Sequence, residues 1–462
     1  MNLKNEKKLE NNIKGQDDKK HKNKTFTKKN FFLFFIPLIV FINIYLINNN
    51  PQILELKRQV EELKSKIQKM EKKLNKKMVK IGLVNYHNFP GINKFLIILG
   101  DLLIKTGKYD IFLINEAETN DLDFKYNKNI KRYIIKNDFQ SMKDFDENND
   151  IDIYIVNNDI SNNVDIYHSF GKKVIGIFHG VFLSFIFQKI ITYRSWKEFY
   201  KLDVFAHIIP DDYWVYKKLG FNNTIYIPNM YSLENNNAPS SPLTYKNLLM
   251  VGKVEDIING AKYGLYAMEE IVKHIPDARL TIIGTQFPKE LKDLIKELKI
   301  EDNVNFQKMN TNINEFYLNT SVLLVTSISE TYPQVMNEGK AHGLPIVAFN
   351  VDYCPCYKSG VIKVEMFDYL TMAKESIKLL KKYEYRKQKG EEAKLSLNDY
   401  ETNDDKIEMW DNLFQTLLND YGTENFNKLQ KNVEKKNYNE TLAKEHIEKH
   451  YYYGQQFNKY FQ

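Results

Sequence analysis

Apolar positions along the chain follow three successive rhythms, and each predicts a different kind of structure. Phe31 to Ile47 is a 17-residue apolar run broken only by Pro37 and Asn43. That is the short end of the roughly 17–25 residues a bilayer span needs. Next, Ile53, Leu56, Val60, Leu63, Ile67, Met70 and Leu74 recur at alternating spacings of three and four. A seam that narrow, flanked by Glu and Lys, predicts a coiled coil over 52–78. From Val79 the pattern turns to short buried runs separated by helical stretches. Strands are predicted at 79–85, 109–115, 132–136, 151–157, 173–178, 205–210 and 224–228, and again at 247–254, 278–283, 304–307, 321–326 and 345–349. Strands alternating with helices imply parallel sheets.

The organisation that follows is a basic polar segment (1–30), an anchor (31–47), a stalk (52–78) and a first Rossmann-like domain (79–233). A polar linker at 234–245 contains Asn-Asn-Asn and Pro-Ser-Ser-Pro. A second Rossmann-like domain (246–400) follows, with a helical stretch from 369 to about 397. A helix (401–421), striped with Ile407, Trp410, Leu413, Phe414 and Leu417, and a peripheral polar tail (422–462) complete the chain. The predicted fold class is α/β: two doubly wound domains facing each other across a cleft, preceded by a transmembrane helix and a coiled coil.

Charge sharpens this picture. The net charge is +7, yet residues 1–80 hold 20 Lys or Arg against 8 Asp or Glu, leaving 46 against 51 for the remainder. The folded part is therefore mildly acidic, which argues against nucleic acid as a partner. Lysines crowd the N-terminal side of the apolar run and no small-residue cleavage site follows it, so it reads as an uncleaved single-pass anchor. The side of the membrane that holds the cleft stays open. The coiled coil predicts a homo-oligomer. Cys354 and Cys356, the only cysteines, supply neither a disulfide framework nor a zinc site.

Candidate chemistry concentrates between 322 and 349. An apolar strand runs into a loop carrying Glu330, Pro333 opens a short helix carrying Glu338, and Gly343-Leu344-Pro345 stops that helix before the next strand. Both carboxylates then face the crevice at the carboxyl edge of a parallel sheet, where doubly wound folds bind ligands. Helix N-termini there attract phosphate, and carboxylates accept hydrogen bonds from sugar hydroxyls.

On these residues, 79 to about 420 resembles the retaining GT-B glycosyltransferases of the large family 4 group (glycosyl transferases group 1), whose hallmark is Glu-x7-Glu. Leu248 to Lys253, Ile275 to Gly284 and Ile227-Pro228-Asn229 are similar to further segments of that family, in the same order. The resemblance implies a nucleotide-diphosphate sugar as donor and a glycan, lipid or protein as acceptor, with retention of configuration and no metal or other cofactor. It assigns His179, at the end of Phe178-His179-Gly180, and Glu330 to the reacting sugar, and Glu338 to the ribose hydroxyls. Lys253 and Lys262 fall to the diphosphate, with Gly91, Thr331 and Tyr332 also lining the donor site. No Asp-x-Asp lies at the carboxyl end of a predicted strand, so lysines and helix dipoles are left to meet the leaving group's charge.

Two departures matter. The glycine-rich loop after the first strand is reduced to Pro90-Gly91, and Asn259 stands where a clamp lysine is usual. They motivate the alternative reading, a non-catalytic carbohydrate-binding or tethering protein on a degenerate GT-B fold. A nucleotide-sugar epimerase of the same fold is a third option.

Overall fold

The structure is a computed structural model that describes residues 59–65, 78–85, 90–116, 127–157, 164–180, 193–231, 238–252, 260–308, 312–351, 354–419, 423–437, 444–445, 448 and 452. The chain divides into two compact units, Met1–Lys77 and Met78–Gln462. In the first, residues 59–65 are helical and Lys64 pairs with Glu61 at 2.7 Å. The predicted anchor 31–47 and most of the stalk 52–78 lie outside the described residues. Among those described, no helix is long and apolar enough to cross a membrane.

Within the second unit, the described strands form two sheets, and every strand pairing is parallel. The first holds β1 (Val79–Asn85), β2 (Tyr109–Asn115), β3 (Lys131–Ile134), β4 (Ile153–Asn157), β5 (Lys173–Phe178), β6 (Val204–His207) and β7 (Thr224–Tyr226), in the order β3-β2-β1-β4-β5-β6-β7. The second holds β8 (Asn247–Val251), β9 (Arg279–Gly284), β10 (Val304–Lys308), β11 (Val322–Val325), β12 (Ile346–Phe349) and β13 (Ile362–Val364), in the order β10-β9-β8-β11-β12-β13. Runs such as Ile81 to Val84 and Val322 to Val325 are buried on both faces, as strands between two helical layers must be. Each sheet reverses its strand order once, at β1/β4 and at β8/β11. Those switch points, at the carboxyl ends, are where an open sheet parts to admit a ligand.

Several boundaries differ from the sequence expectation. β6 stops at His207 because Pro210 opens the helix Pro210–Lys218. The predicted helix 369–397 is two helices, Tyr369–Lys381 and Tyr383–Leu395, separated by the extended Lys382. β13 was absent from the predicted strands. The sequence predicts a peripheral tail, yet Thr423–Asn437 is helical. It buries Phe426 and caps the edge of β7, with Gln430 Nε2 donating to Thr224 O at 2.6 Å. The helix Asn403–Asn419 packs on the first sheet's layer: Trp410, Leu413, Phe414 and Leu417 share a core with Leu99, Leu103 and Tyr109. There Asp411 accepts from Lys108 Nζ at 2.7 Å and from the Tyr109 hydroxyl.

Candidate functional site

The second lobe's contribution begins at β11, whose chain leaves the sheet as a loop and re-enters as the helix Gln334–Ala341. Gly343, at φ +67°, ends that helix in the left-handed region. Glu338 sits mid-helix and is 5% exposed. The Tyr317 hydroxyl donates to its Oε2 at 2.8 Å, and Lys94 forms an ion pair with its Oε1. Burial and the adjacent Glu338 push the Tyr317 phenol well above its ordinary pKa, so it remains a donor. Lys94 belongs to the helix Pro90–Lys105 of the first lobe. The ion pair therefore spans the gap between the lobes.

The loop before the helix is tied from both sides. Thr331 Oγ1 donates to the His179 carbonyl at 2.9 Å, across the lobes, while the Cys354 thiol donates to the Thr331 carbonyl at 3.0 Å. Gln334 Nε2 donates to Met230 O at 2.9 Å, a third link between lobes. Glu330, half-buried, rides on this tethered loop. Tyr332 is 5% exposed and belongs to the apolar core. Lys340, two residues beyond Glu338, is fully buried and donates to Cys356 O, Ser359 O and the Tyr400 hydroxyl at 2.7–2.9 Å. Desolvation lowers its pKa to about 8. This buried cation anchors the helix from behind.

In the first lobe, Asn85, Asn115 and Asn157 end three neighbouring strands at one level of the sheet, and all three are buried. His179 follows the end of β5. Its Nε2 lies 2.7 Å from Asn157 Oδ1, and its ring meets Phe95 edge-on at 5.0 Å. Desolvation pulls its pKa down to about 3, so the imidazole is neutral at physiological pH.

His179, Thr331 and Glu338 are thus brought to the gap between the lobes, with Lys94 reaching into it, and Glu330 directly precedes Thr331 on the loop. Gly91 is exposed in the first turn of the Pro90 helix, with open space around its α-carbon. Lys262 lies in the first turn of the helix Ala261–His274, its Nζ 5.1 Å from the Tyr263 ring centroid. Gly260 caps that helix at φ +59°, pressed against the Thr326 carbonyl as β11 ends. The helix N-terminus is thereby held beside the carboxyl edge of the second sheet, a favourable place for an anion. Lys253 and Asn259 lie outside the described residues. Sequence reasoning missed Lys94, Tyr317 and Asn157. Lys94 stands 244 positions from Glu338, and no local pattern couples them.

Residues 233–396 match the family Glycosyl transferases group 1. An uncharacterised glycosyltransferase of Haemophilus influenzae is 37% identical over 135 residues, covering 29% of this chain and 38% of that protein. The N-acetyl-alpha-D-glucosaminyl L-malate synthase of Bacillus anthracis is 27% identical over 180 residues, covering 38% of this chain and 45% of that protein. The matched stretch therefore spans less than half the length of either relative. Among solved structures, HepE of Anabaena, in complex with UDP and glucose, superposes with a TM-score of 0.62. That match covers 72% of this chain and 99% of HepE at 12% identity, a likeness of fold alone. The second lobe carries a glycosyl transferases group 1 domain, and the two parallel-sheet lobes share the GT-B fold.

Proposed function

We propose that the chain is a glycosyltransferase that moves a sugar from a nucleoside-diphosphate donor to a glycan, lipid or protein acceptor, with retention and without a divalent metal. One observation carries the reading: a single loop and helix of the second lobe, which also carry Glu330, bring Thr331 to His179 and Glu338 to Lys94 of the first. In this reading Glu338 takes the ribose hydroxyls, exchanging Lys94 for them at Oε1. Glu330 and His179 flank the sugar's reacting carbon. As the bond to the diphosphate breaks, negative charge grows on the leaving oxygen. Lys253, Lys262 and the N-terminus of the Ala261 helix meet that charge, because preorganised cations and amide dipoles need no reorganisation during the step. The acceptor attacks the face the leaving group vacates. The apolar run 31–47 and the seam 52–78 belong to the same proposal, holding the enzyme at a membrane as an oligomer.

The test is nucleotide release by the full chain from a panel of nucleotide sugars, UDP-sugars first because HepE holds UDP and glucose. Glu330→Gln and His179→Ala are expected to cut turnover by about 100-fold or more, EDTA to leave it unchanged, and the product to keep the donor's anomeric configuration. Glycan binding without turnover on any donor overturns the proposal in favour of a carbohydrate-binding protein on the same fold. A rearranged sugar released without acceptor would instead indicate an epimerase.

A further inference from the structure

Donor binding at Glu338 leaves one charge without a partner. The ion pair of Lys94 with Glu338 Oε1 spans the gap between the lobes, the lysine side chain 22% exposed and the glutamate side chain 7%. Ribose hydroxyls arriving at Oε1 donate hydrogen bonds but bring no charge. Lys94 is then a largely desolvated cation stripped of its anion, which is unfavourable. A nucleoside diphosphate brings the replacement with it. Its phosphates hang from C5′, separated from the hydroxyl-bearing C3′ only by C4′. The group that evicts Lys94 therefore sets an anion within reach of the same side chain.

Local geometry aims the lysine. Lys94 lies between Asn93 and Phe95 near the start of the helix Pro90–Lys105. Asn93 Oδ1 accepts from Asn85 Nδ2 at the end of β1, and Phe95 meets the His179 ring edge-on at 5.0 Å. Successive side chains step by about 100° around a helix. With its neighbours fixed to β1 and to His179, Lys94 is directed between them, into the gap. The second lobe offers little net charge here: residues 253–262 hold Lys253 and Lys262 against Glu255 and Asp256, two cations and two anions. The diphosphate's charge, and the charge that grows on its leaving oxygen, call for a cation from elsewhere.

We propose that Lys94 is a catalytic residue of the first lobe that changes partner when the donor binds: it yields Glu338 Oε1 to the ribose and moves to the diphosphate. This rests on the reading of Glu338 as the ribose-binding carboxylate. As the sugar's bond to the diphosphate breaks, the electron pair stays on the leaving oxygen. The acceptor hydroxyl forms the new bond and its proton passes to that oxygen. Lys94 keeps its own proton and stabilises the phosphate by a charge-assisted hydrogen bond. One lysine thus bridges the empty gap and then neutralises the filled one. The exchange also makes the site selective, since a nucleoside alone evicts Lys94 without compensating it.

Equilibrium binding of UDP and of uridine to the full chain separates this role from that of a simple latch, with GDP and guanosine, and ADP and adenosine, as further pairs. Lys94→Met is expected to tighten the nucleoside, which no longer competes with the lysine. It is expected to cut the affinity ratio of diphosphate to nucleoside about 10- to 100-fold, the worth of one hydrogen bond to a charged group. Lys94→Arg is expected to restore the ratio. An unchanged ratio in Lys94→Met, with both ligands tightened alike, overturns the proposal and leaves Lys94 a latch. Should Lys94→Met not fold, the wild-type chain decides. Under a dilute lysine-acetylating reagent, read by peptide mass spectrometry, uridine is expected to expose Lys94 and UDP to protect it. Equal labelling of Lys94 with both ligands overturns the proposal. If the wild type binds none of these diphosphates, the donor reading itself fails and this role with it. Diphosphate binding with an unchanged ratio removes only the role of Lys94.

Discussion

His207 should be replaceable by a hydrocarbon at a gain in acid stability. It ends β6 at 1% exposure, stacked on Tyr216 at 4.8 Å and tilted against Phe205 at 4.4 Å, and neither ring nitrogen has a hydrogen-bond partner. Desolvation lowers its pKa from 6.5 to about 3. The sign follows directly. Above the unfolded value the ring is neutral in both states and contributes no pH dependence. As pH falls below it, the unfolded chain binds a proton that the native ring refuses, and stability drops until the pH reaches the native value. Between about pH 8 and pH 5 the difference amounts to about 2 kcal/mol. His207→Leu removes it, and by deleting two unsatisfied nitrogens should add about 1 kcal/mol at pH 8. Urea unfolding followed by tryptophan fluorescence is the assay. The chain's three tryptophans, Trp196, Trp214 and Trp410, lie in the first lobe or in the helix packed on it. Parallel stability profiles for wild type and variant across this range would refute the reasoning. So would a loss above about 2 kcal/mol at pH 8, which would mean the ring makes hydrogen bonds after all.

Two further outcomes are expected. Gly260→Ala forces a side chain into the left-handed region and against the Thr326 carbonyl; a loss of about 2 kcal/mol or more is expected in denaturant unfolding, and a neutral result would mean the helix starts elsewhere. Lys94→Met and Glu338→Gln, combined in a double-mutant cycle, should show a coupling of about 1–3 kcal/mol, whereas additivity would mean the ion pair does not hold the lobes in solution.

The sequence made the layered architecture legible because strands buried on both faces write themselves as unbroken apolar runs, and Glu330 to Pro345 carried its own start and stop signals. What escaped it depends on distance along the chain or on weak local pattern. β13 is three residues, Ile362–Val364, with a lysine in the middle, too short to register as a run. The helix Thr423–Asn437 hides its buried Phe426 and Gln430 among lysines and asparagines. No Gly or Pro stands between the Tyr369 and Tyr383 helices, and only the backbone at Lys382 separates them. At the site, Glu330 and Glu338 announced themselves by spacing. Lys94 looked like any solvated lysine on an apolar helix, and Asn157 like any polar residue ending a strand. Their roles exist only once β1, β4 and β5 lie side by side and the second lobe closes over them.

The return of Asn403–Asn419 onto the first lobe makes that lobe discontinuous in sequence: its hydrophobic interior is completed by residues encoded after the entire second lobe. Anyone grafting a foreign second lobe to test the proposed donor specificity should therefore excise only the stretch up to about residue 400 and leave the native Trp410 helix in place. A simple fusion at the 234–245 linker would strip Leu99, Leu103 and Tyr109 of their cover and yield an insoluble chimera rather than a retargeted one.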